Sequence, residues 1–315
     1  MQSIVFLDRG SLDATLRPPD FAHAWRDHDH SGAEQVVERL AGATIAITNK
    51  VPLRAAALAA LPDLRMVAVA ATGTDIIDVA ACTQRAIVVS NIRGYATSTL
   101  PEHVFAMILA LRRNLFAYRN DVAHGEWQRA SQFSLLSHPI RDLCGSTLGV
   151  IGLGALGRSV ARLGLAFGMK VQGYDPQAPA IENVVPATLA RIIAEADVVT
   201  LHVPLTAQTR GMIGAAELAR MKPTALLINT ARGGLVDEAA LAAAISGGSI
   251  GGAAIDVLAV EPPTADNPLL ALRAPNFILT PHISWASVEA MQALADQLID
   301  NIDAFVAGKP RNVVG

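Results

Sequence analysis

The stretch 147–176, TLGVIGLGALGRSVARLGLAFGMKVQGYDP, constrains the fold of this chain more than any other segment. Its pattern predicts an apolar strand, a glycine-rich turn, a helix, and a second apolar strand that ends at an acidic residue. This order of elements is typical of the unit that binds a dinucleotide in α/β proteins. The order makes that interpretation far stronger than three glycines alone would.

Each glycine of the turn has a separate physical role. Gly152 permits the tight turn out of the strand, Gly154 lets the backbone approach a pyrophosphate, and Gly157 lets the helix pack against the strand. The N–H groups at the start of the helix, near Ala155 and Leu156, would face phosphate oxygens. The turn is therefore the predicted phosphate-binding part of a cofactor site.

An acidic residue closes the second strand and indicates which cofactor is bound. Asp175 lies 18 positions after Gly157 (175 − 157), where a carboxylate can accept hydrogen bonds from ribose hydroxyls and repels a 2′-phosphate. The next residues, Pro176, Gln177 and Ala178, supply no cation for such a phosphate. The sequence therefore favours NAD over NADP.

Length and charge limit the class of protein. A chain of 315 residues is long enough for two domains with sizeable cores. The 25 basic and 28 acidic residues give a formal net charge of −3 without a basic cluster, so we expect neither nucleic acid nor a membrane surface as partner. No apolar run reaches the roughly 18 residues that a membrane span needs. The expected partner is a small molecule.

The two cysteines, Cys82 and Cys144, form no pair or cluster with metal-ligand spacing. We therefore expect no metal site, a reducing compartment, and two buried cysteine side chains. The N-terminal apolar run is too short for a signal peptide, which predicts a cytoplasmic protein.

Strands and helices alternate along the whole chain, which predicts two Rossmann-like domains, each a doubly wound parallel sheet. Predicted strands of the larger domain are 148–151, 170–174, 197–203, 225–229, 252–257 and 277–280, and those of the smaller one are 4–7, 44–48, 66–70 and 86–89.

The predicted boundaries make the first domain discontinuous. Residues 1–98 with 288–315 form a flavodoxin-like substrate domain, and 99–287 form the NAD-binding domain, with the active-site cleft between the two. A helix from Ser98 to about Leu115 connects them, and a helix over 287–307 returns to the first domain. The stretch 117–142 fits neither sheet and is interpreted as a dimerisation arm.

Three strand ends of the larger domain each deliver a polar side chain, and the carboxyl ends of such strands border the ligand crevice. Arg232 presents a fork of donors matched to a carboxylate, and His282 belongs to the residue type that titrates near neutral pH. Glu261 beside that histidine would orient its ring and favour its protonated form. Each residue alone has another interpretation: Arg232 as a surface ion pair, Glu261 as an ordinary loop carboxylate, and His282 as a structural histidine.

Five segments and one acidic residue stand in a characteristic order along the chain: GLGALG, the strand-end Asp175, HVPLTAQTRGMIG, MKPTALLINTARGGLVDEAAL, DVLAVEPP and TPHISWAS. In this set and order, the chain resembles the D-isomer-specific 2-hydroxyacid dehydrogenases. The resemblance implies that Arg232, Glu261 and His282 are the catalytic triad. It further implies cofactor contacts at Thr97, Val203, Pro204, Thr230, Ala231 and Asp256.

The resemblance also implies that backbone amides of residues 71–74, including Thr72, Gly73 and Thr74, hold the substrate carboxylate. Lys50 is a further candidate for a substrate contact, with a solvated loop lysine as the alternative. Trp285 is a candidate for closing the substrate pocket, with core packing as the alternative.

The segments TNKVPL and HISWAS resemble most the glycerate dehydrogenase or hydroxypyruvate reductase branch. That likeness implies an NAD-dependent homodimeric enzyme that interconverts a short 2-oxo acid and its D-2-hydroxy acid. His103 lies in a predicted helix and is interpreted as a structural residue. The alternative function is an NAD-sensing interaction protein resembling the C-terminal-binding corepressors, although their partner-binding tails have no counterpart here.

Overall fold

The computed structural model describes residues 1–177 and 181–315, so Ala178, one of the positions used above to favour NAD, lies outside the described residues. The chain divides into two compact units. The first comprises Met1–Ala96 with Ala286–Gly315, and the second comprises Thr97–Trp285. We call them the five-stranded unit and the seven-stranded unit after their sheets.

All strands of the five-stranded unit are parallel, in the spatial order 2-1-3-4-5 of flavodoxin-like sheets. Of its three inner strands, β3 (Ile45–Thr48) and β4 (Met66–Val69) are buried along their whole length, as is typical of parallel strands covered on both faces. In chain order its elements are β1 (Gln2–Phe6), β2 (His23–Asp27), α1 (Val36–Arg39), β3 (Ile45–Thr48), α2 (Ala55–Ala59), β4 (Met66–Val69), α3 (Val79–Gln84) and β5 (Val88–Ser90).

The seven-stranded unit contains the predicted βαβ unit, whose two strands are neighbours in its sheet. In chain order its elements are α4 (Thr99–Arg112), α5 (Leu115–Ala123), α6 (Glu126–Arg129), β6 (Thr147–Ile151), α7 (Ala155–Ala166), β7 (Lys170–Tyr174), β8 (Val184–Pro186), α8 (Leu189–Glu195), β9 (Val198–Leu201), α9 (Ala215–Arg220), β10 (Leu226–Asn229), α10 (Glu238–Ser246), β11 (Gly252–Ile255) and β12 (Phe277–Leu279).

The strand order of this sheet is β12-β11-β10-β9-β6-β7-β8, with every pair parallel. The chain runs outward from β6 to one edge and then returns to β9 on the other side of β6. That reversal creates a topological switch point between β6 and β9, where doubly wound sheets bind ligands. The predicted fold class, two doubly wound parallel α/β sheets, is confirmed.

The last helix, α11 (Val288–Val306), belongs to the five-stranded unit. Ser287 caps it by accepting a hydrogen bond from the N–H of Ala290. Leu294, Leu298 and Ile302 recur every fourth residue and are fully buried, so one stripe of the helix completes the core of this unit.

Three local predictions were wrong. The predicted helix to Leu115 ends at Arg112 because Asn114 adopts the left-handed conformation, with φ of +51°, and separates α4 from α5. Cys144 is exposed in the turn before β6, whereas Cys82 is buried as expected. The edge strands β2 and β8 were not predicted.

Two negative findings apply to residues 1–177 and 181–315. Within these ranges, no helix combines the length and the apolar character that a membrane crossing requires. Within the same ranges, no group of three or more histidine, cysteine or acidic side chains is arranged to hold a metal ion.

Candidate active site

The carboxyl ends of β10, β11 and β12 supply the polar residues of the candidate site. Arg232 follows β10, Asp256 and Glu261 follow β11, and His282 follows β12. These three strands are neighbours in the sheet, so the sheet brings their following loops to one edge.

The predicted histidine and acid are in direct contact. Nδ1 of His282 lies 2.7 Å from Oε2 of Glu261, and Oε1 of Glu261 accepts a hydrogen bond from the N–H of Leu258 at 2.9 Å. Because a carboxylate only accepts, Nδ1 is the donor, and Nε2 is the ring nitrogen that faces away from this contact. About a quarter of the His282 side chain and a third of the Glu261 side chain are exposed (24% and 34%). The pair is therefore oriented and also accessible for proton exchange.

The backbone of His282 adopts a conformation that side-chain-bearing residues seldom adopt. Its φ is +57°. The N–H of His282 donates to the carbonyl oxygen of Asp256 at 2.8 Å, and its own carbonyl oxygen accepts a hydrogen bond from Nε1 of Trp285 at 2.9 Å. A non-glycine residue persists in this region only when its surroundings hold it there, and such positions concentrate at functional sites.

The carboxylate of Asp256 holds the loop that carries His282. This side chain is completely buried, and its Oδ1 accepts from the hydroxyl of Thr280 at 2.6 Å and from the N–H of Ile283 at 2.9 Å. Its Oδ2 accepts from the N–H of Ser284 at 2.9 Å. Asp256 was predicted as a cofactor contact, and these hydrogen bonds give its carboxylate a structural task as well.

His103 is a residue whose relation to this network the sequence interpretation missed. Its Nε2 lies 3.3 Å from the Thr280 hydroxyl and 3.8 Å from Oδ1 of Asp256. The helical spacing places His103 on the same face as the apolar positions Leu100 and Met107, both of which are buried, but it does not indicate which segment that face packs against.

The loop that follows β10 packs backbone to backbone against the loop that carries Glu261. A Cβ at Gly233 would lie 1.9 Å from the carbonyl carbon of Leu258, so only glycine allows this approach. Asn229, fully buried, accepts from the N–H of Ala231 and donates to the carbonyl oxygen of Arg232. The guanidinium of Arg232 is half-buried and donates through Nη1 to the carbonyl oxygen of Ala231. The three predicted triad residues thus lie on adjoining loops.

The glycine-rich turn fits a dinucleotide on geometric grounds. Gly152 has a φ of +95°, and a Cβ there would lie 2.5 Å from the carbonyl oxygen of His202. A Cβ at Gly157 would lie 1.9 Å from the carbonyl oxygen of Gly152, whereas a Cβ at Gly154 would meet no described heavy atom within 4 Å. The turn is therefore closed towards the protein and open at Gly154, where a pyrophosphate would approach.

Neighbouring groups add to this fit. No described side chain caps the start of α7, which leaves the first turn of that helix to an anion. Asp175 accepts hydrogen bonds from the N–H groups of Leu153 and Gln177 at 2.8 and 2.9 Å, which fixes its carboxylate beside the turn. The buried hydroxyl of Thr230, a predicted cofactor contact, has no hydrogen-bond partner among the described residues.

His202 lies beneath the turn, after β9. Its Nε2 is 2.9 Å from the hydroxyl of Thr200. The residue keeps a little exposed surface, but burial of its ring lowers the pKa to about 4 from the usual 6.5. It is neutral at physiological pH and forms part of the floor of the turn.

The remaining predicted cofactor contacts lie in the seven-stranded unit. Thr97 opens this unit in the chain, and Val203 and Pro204 follow β9.

Of the predicted substrate contacts, Arg232, His282 and Trp285 lie in the seven-stranded unit, and the others lie in the five-stranded unit. Thr72, Gly73 and Thr74 follow β4, and the hydroxyl of Thr72 donates to the carbonyl oxygen of Ile92 at 2.8 Å. Lys50 follows β3, and its N–H donates to Oδ2 of the buried Asp8 at 2.6 Å. Both segments thus stand at carboxyl ends of strands in their own sheet.

The doubly wound seven-stranded sheet, the open glycine turn and the paired histidine and carboxylate define a nicotinamide-dependent oxidoreductase as the class. Comparison with known proteins gives the family. The sequence model described as "D-isomer specific 2-hydroxyacid dehydrogenase, NAD binding domain" matches residues 105–284. The chain belongs to this family.

Full-length relatives agree with this family. The chain is 54% identical to the glycerate dehydrogenase of Methylorubrum extorquens, over 99% of both chains. It is 35% identical to the hydroxypyruvate reductase of Blautia hydrogenotrophica, over 89% of this chain and 88% of the relative. The solved structure of an NADPH-dependent glyoxylate/hydroxypyruvate reductase from Sinorhizobium meliloti superposes with a TM-score of 0.83 at 28% identity, over 100% and 98% of the two chains.

The family and these relatives establish the general activity. The protein is an NAD-dependent D-2-hydroxyacid dehydrogenase, an enzyme that interconverts 2-oxo and 2-hydroxy acids with a nicotinamide dinucleotide. The relatives named here are enzymes, so they give no support to the alternative of a corepressor-like interaction protein.

Proposed function

We propose that the protein reduces hydroxypyruvate to D-glycerate, glyoxylate to glycolate, or a similarly short 2-oxo acid to its D-2-hydroxy acid, and catalyses the reverse oxidation. His282 is the general acid and base, Glu261 is its partner, and Arg232 binds the substrate carboxylate. The observation that carries this proposal is the 2.7 Å contact between Nδ1 of His282 and Glu261, on a loop adjoining that of Arg232.

Held by the glycine-rich turn and by Asp175, NADH would supply the hydride for reduction of the carbonyl carbon. In the reduction, the protonated ring of His282 gives the proton on Nε2 to the carbonyl oxygen as negative charge develops there. In the reverse oxidation, Nε2 of the neutral ring accepts the hydroxyl proton. Glu261 holds the ring in position and stabilises its positive charge. The guanidinium of Arg232 matches a carboxylate with two parallel donors, and the backbone amides of Thr72, Gly73 and Thr74 are proposed to bind the same group. Lys50 and Trp285 remain secondary candidates for substrate contacts.

The substrate class rests on the names of relatives, which act on glycerate, hydroxypyruvate and glyoxylate. A steady-state panel of hydroxypyruvate, glyoxylate, pyruvate and a branched 2-oxo acid, each with NADH, tests it. We expect the highest kcat/KM for hydroxypyruvate or glyoxylate. The value for the branched 2-oxo acid should be lower by at least about 10-fold. A branched acid as the best substrate would refute the proposed substrate class without affecting the catalytic roles.

We also propose that NAD is preferred over NADP. The carboxylate of Asp175 is held by two backbone N–H groups beside the turn, where it would repel a 2′-phosphate. The Sinorhizobium relative uses NADPH, so the family as a whole does not decide the preference. Repeating the panel with NADPH should give kcat/KM lower by about 100-fold, since like-charge juxtaposition costs a few kcal/mol. Equal efficiency with both cofactors would contradict this role of Asp175.

The arm over 117–142 is proposed to form a homodimer. Tyr118 donates to the carbonyl oxygen of His138, whose Nε2 is 2.9 Å from Asp121, so the arm is tied internally. It nevertheless exposes several large apolar side chains, and exposed apolar patches mark interaction surfaces. These side chains and their exposed fractions are Val122 (49%), Trp127 (53%), Phe133 (91%), Leu136 (82%) and Ile140 (46%).

Sedimentation of the protein should give a dimer, and the double variant Phe133→Ser with Leu136→Ser should give a monomer. Val185→Ser removes an exposed apolar side chain from β8, outside the arm, and is the matched control. A dimer that survives the double variant would contradict the proposed interface.

We also propose a cytoplasmic location, for which the support is that both cysteines are unpaired.

A further inference from the structure

We propose that His103 is a positioning residue of the proton-transfer site, acting through Thr280 and Asp256 on the loop that carries His282. This proposal rests on the proposed role of His282. His103 lies on α4, far along the chain from the triad, and it has no part in the function proposed above.

The direction of the hydrogen bonds follows from the number of donors available. Thr280 has one hydroxyl proton, and its oxygen is 2.6 Å from Oδ1 of Asp256, which as a carboxylate only accepts. The proton of Thr280 is therefore used on Asp256. At the 3.3 Å contact with His103, the Thr280 oxygen is the acceptor and Nε2 of His103 is the donor. The geometry thus assigns a proton to Nε2 of His103.

The network continues to the backbone around His282. Asp256 accepts the N–H groups of Ile283 and Ser284, the two residues that follow His282, while the carbonyl oxygen of Asp256 accepts the N–H of His282 itself. The backbone N–H groups of residues 282–284 therefore all donate to Asp256. This dependence matters because His282 is held at a φ of +57°, which the loop would not retain without such support.

The environment of Asp256 favours a role for His103 beyond filling space. The carboxylate is completely buried, and the imidazole of His103, one fifth exposed, lies 3.8 Å from it. A buried carboxylate needs donors or positive charge on every side to offset the loss of water. An imidazole supplies a donor through Thr280 and, when protonated, a positive charge, whereas an apolar side chain of similar size supplies neither.

The experiment compares His103→Leu, which keeps the approximate volume, with His103→Gln, whose amide can donate near the position of Nε2. We expect the leucine variant to lower kcat by about 10-fold, the effect of losing one hydrogen bond to a charged network, with KM for the 2-oxo acid changed by less than about twofold. The glutamine variant should recover most of kcat. Glu102→Gln, at the neighbouring exposed position of α4, is the control and should match the unmodified enzyme.

A double-mutant cycle tests whether the effect passes through Thr280. Thr280→Val removes the hydroxyl, and the variant that combines it with His103→Leu should be no slower than Thr280→Val alone.

A second measurement needs neither substrate nor cofactor. Amide hydrogen exchange of the peptide over 280–286 should be faster in His103→Leu and Thr280→Val than in the unmodified protein, at unchanged exchange of β6.

The outcomes separate the possibilities. Normal kcat in His103→Leu, equal loss in the leucine and glutamine variants, or additive losses in the double variant would each overturn the role of His103. If His282→Gln also retains activity, the proposed function itself fails. If the His103 variants keep the kcat of the unmodified enzyme while His282→Gln is inactive, the proposed function stands and the positioning role does not.

Discussion

The seven-stranded sheet carries two histidines just beyond its strands, and their surroundings make them chemically different. His202 follows β9 beneath the glycine turn, where its ring contacts a neutral hydroxyl and burial lowers its pKa to about 4. His282 follows β12, contacts the carboxylate of Glu261 at 2.7 Å, and is about a quarter exposed. The first is fixed as neutral, and the second has the partner and the access that proton transfer needs.

The comparison teaches that position at a strand end does not by itself make a residue catalytic. Both regions border the ligand crevice expected of such sheets. The glycine turn works by shape, so a neutral side chain packed against it is sufficient. The loop after β12 works by moving a proton, so it needs a titratable ring held by a carboxylate and a constrained backbone.

Replacing the proton-transfer histidine is the change with the largest expected effect. His282→Gln should lower kcat by about 10³-fold, because general acid–base catalysis contributes on that order, while NADH affinity stays close to normal. Steady-state rates with hydroxypyruvate and fluorescence titration with NADH measure the two quantities. His124→Gln, at an exposed position of α5's C-terminal end, is the control. Near-normal turnover, or loss of NADH binding in a folded variant, would remove the distinction between the two histidines.

His202 should instead affect stability as a function of pH. Its folded pKa of about 4 lies below the usual 6.5, so the unfolded chain binds one more proton between these values. Its contribution to stability is therefore present above about pH 6.5 and is lost as pH falls towards 4, by at most roughly 3 kcal/mol because the residue keeps some exposure.

Urea unfolding between pH 4 and 7 measures this contribution. The free energy of unfolding of His202→Gln should depend less steeply on pH than that of the unmodified protein, with the same His124→Gln variant as matched control. Parallel pH profiles for the protein and its His202 variant would show that His202 is not held neutral, and the contrast with His282 would then rest on contacts alone.

The features that could be predicted from the sequence are those that depend on residues close together in the chain. The strand, turn, helix and acid of the dinucleotide unit fall within 30 residues, and the sheet observed around them has the predicted parallel, doubly wound form. The strands that were missed, β2 and β8, lie at sheet edges, where half-exposed residues and short length weaken the apolar pattern.

The missed part of the site depends on contacts between distant segments. Thr280 and His103 are 177 residues apart, and nothing in a single sequence indicates that α4 places a histidine beside the loop after β12. The close approach of Gly233 to Leu258 likewise arises only when neighbouring strands align their loops. The triad residues, including Glu261 as the partner of His282, were found as candidates because each follows a recognisable strand, but the contact of His103 with Thr280 was not.

The smallest expected effect separates two glycines within the turn. Gly157→Ala puts a methyl group 1.9 Å from the carbonyl oxygen of Gly152, so it should lower the free energy of unfolding of the cofactor-free protein by about 2 kcal/mol through overpacking. Gly154→Ala meets no described heavy atom within 4 Å and should leave that free energy unchanged within about 0.5 kcal/mol.

Gly154→Ala, the variant with the smaller effect on the free energy of unfolding, should nevertheless lower NADH affinity. The methyl group of Gly154→Ala occupies the open space where a pyrophosphate would approach, so NADH affinity should fall by about 10-fold in a fully stable protein. Urea unfolding without cofactor and NADH titration give both quantities for both variants. If Gly154→Ala binds NADH normally, the open side of the turn does not face the cofactor, and the view that this region works by shape must be abandoned even if the role of His282 holds.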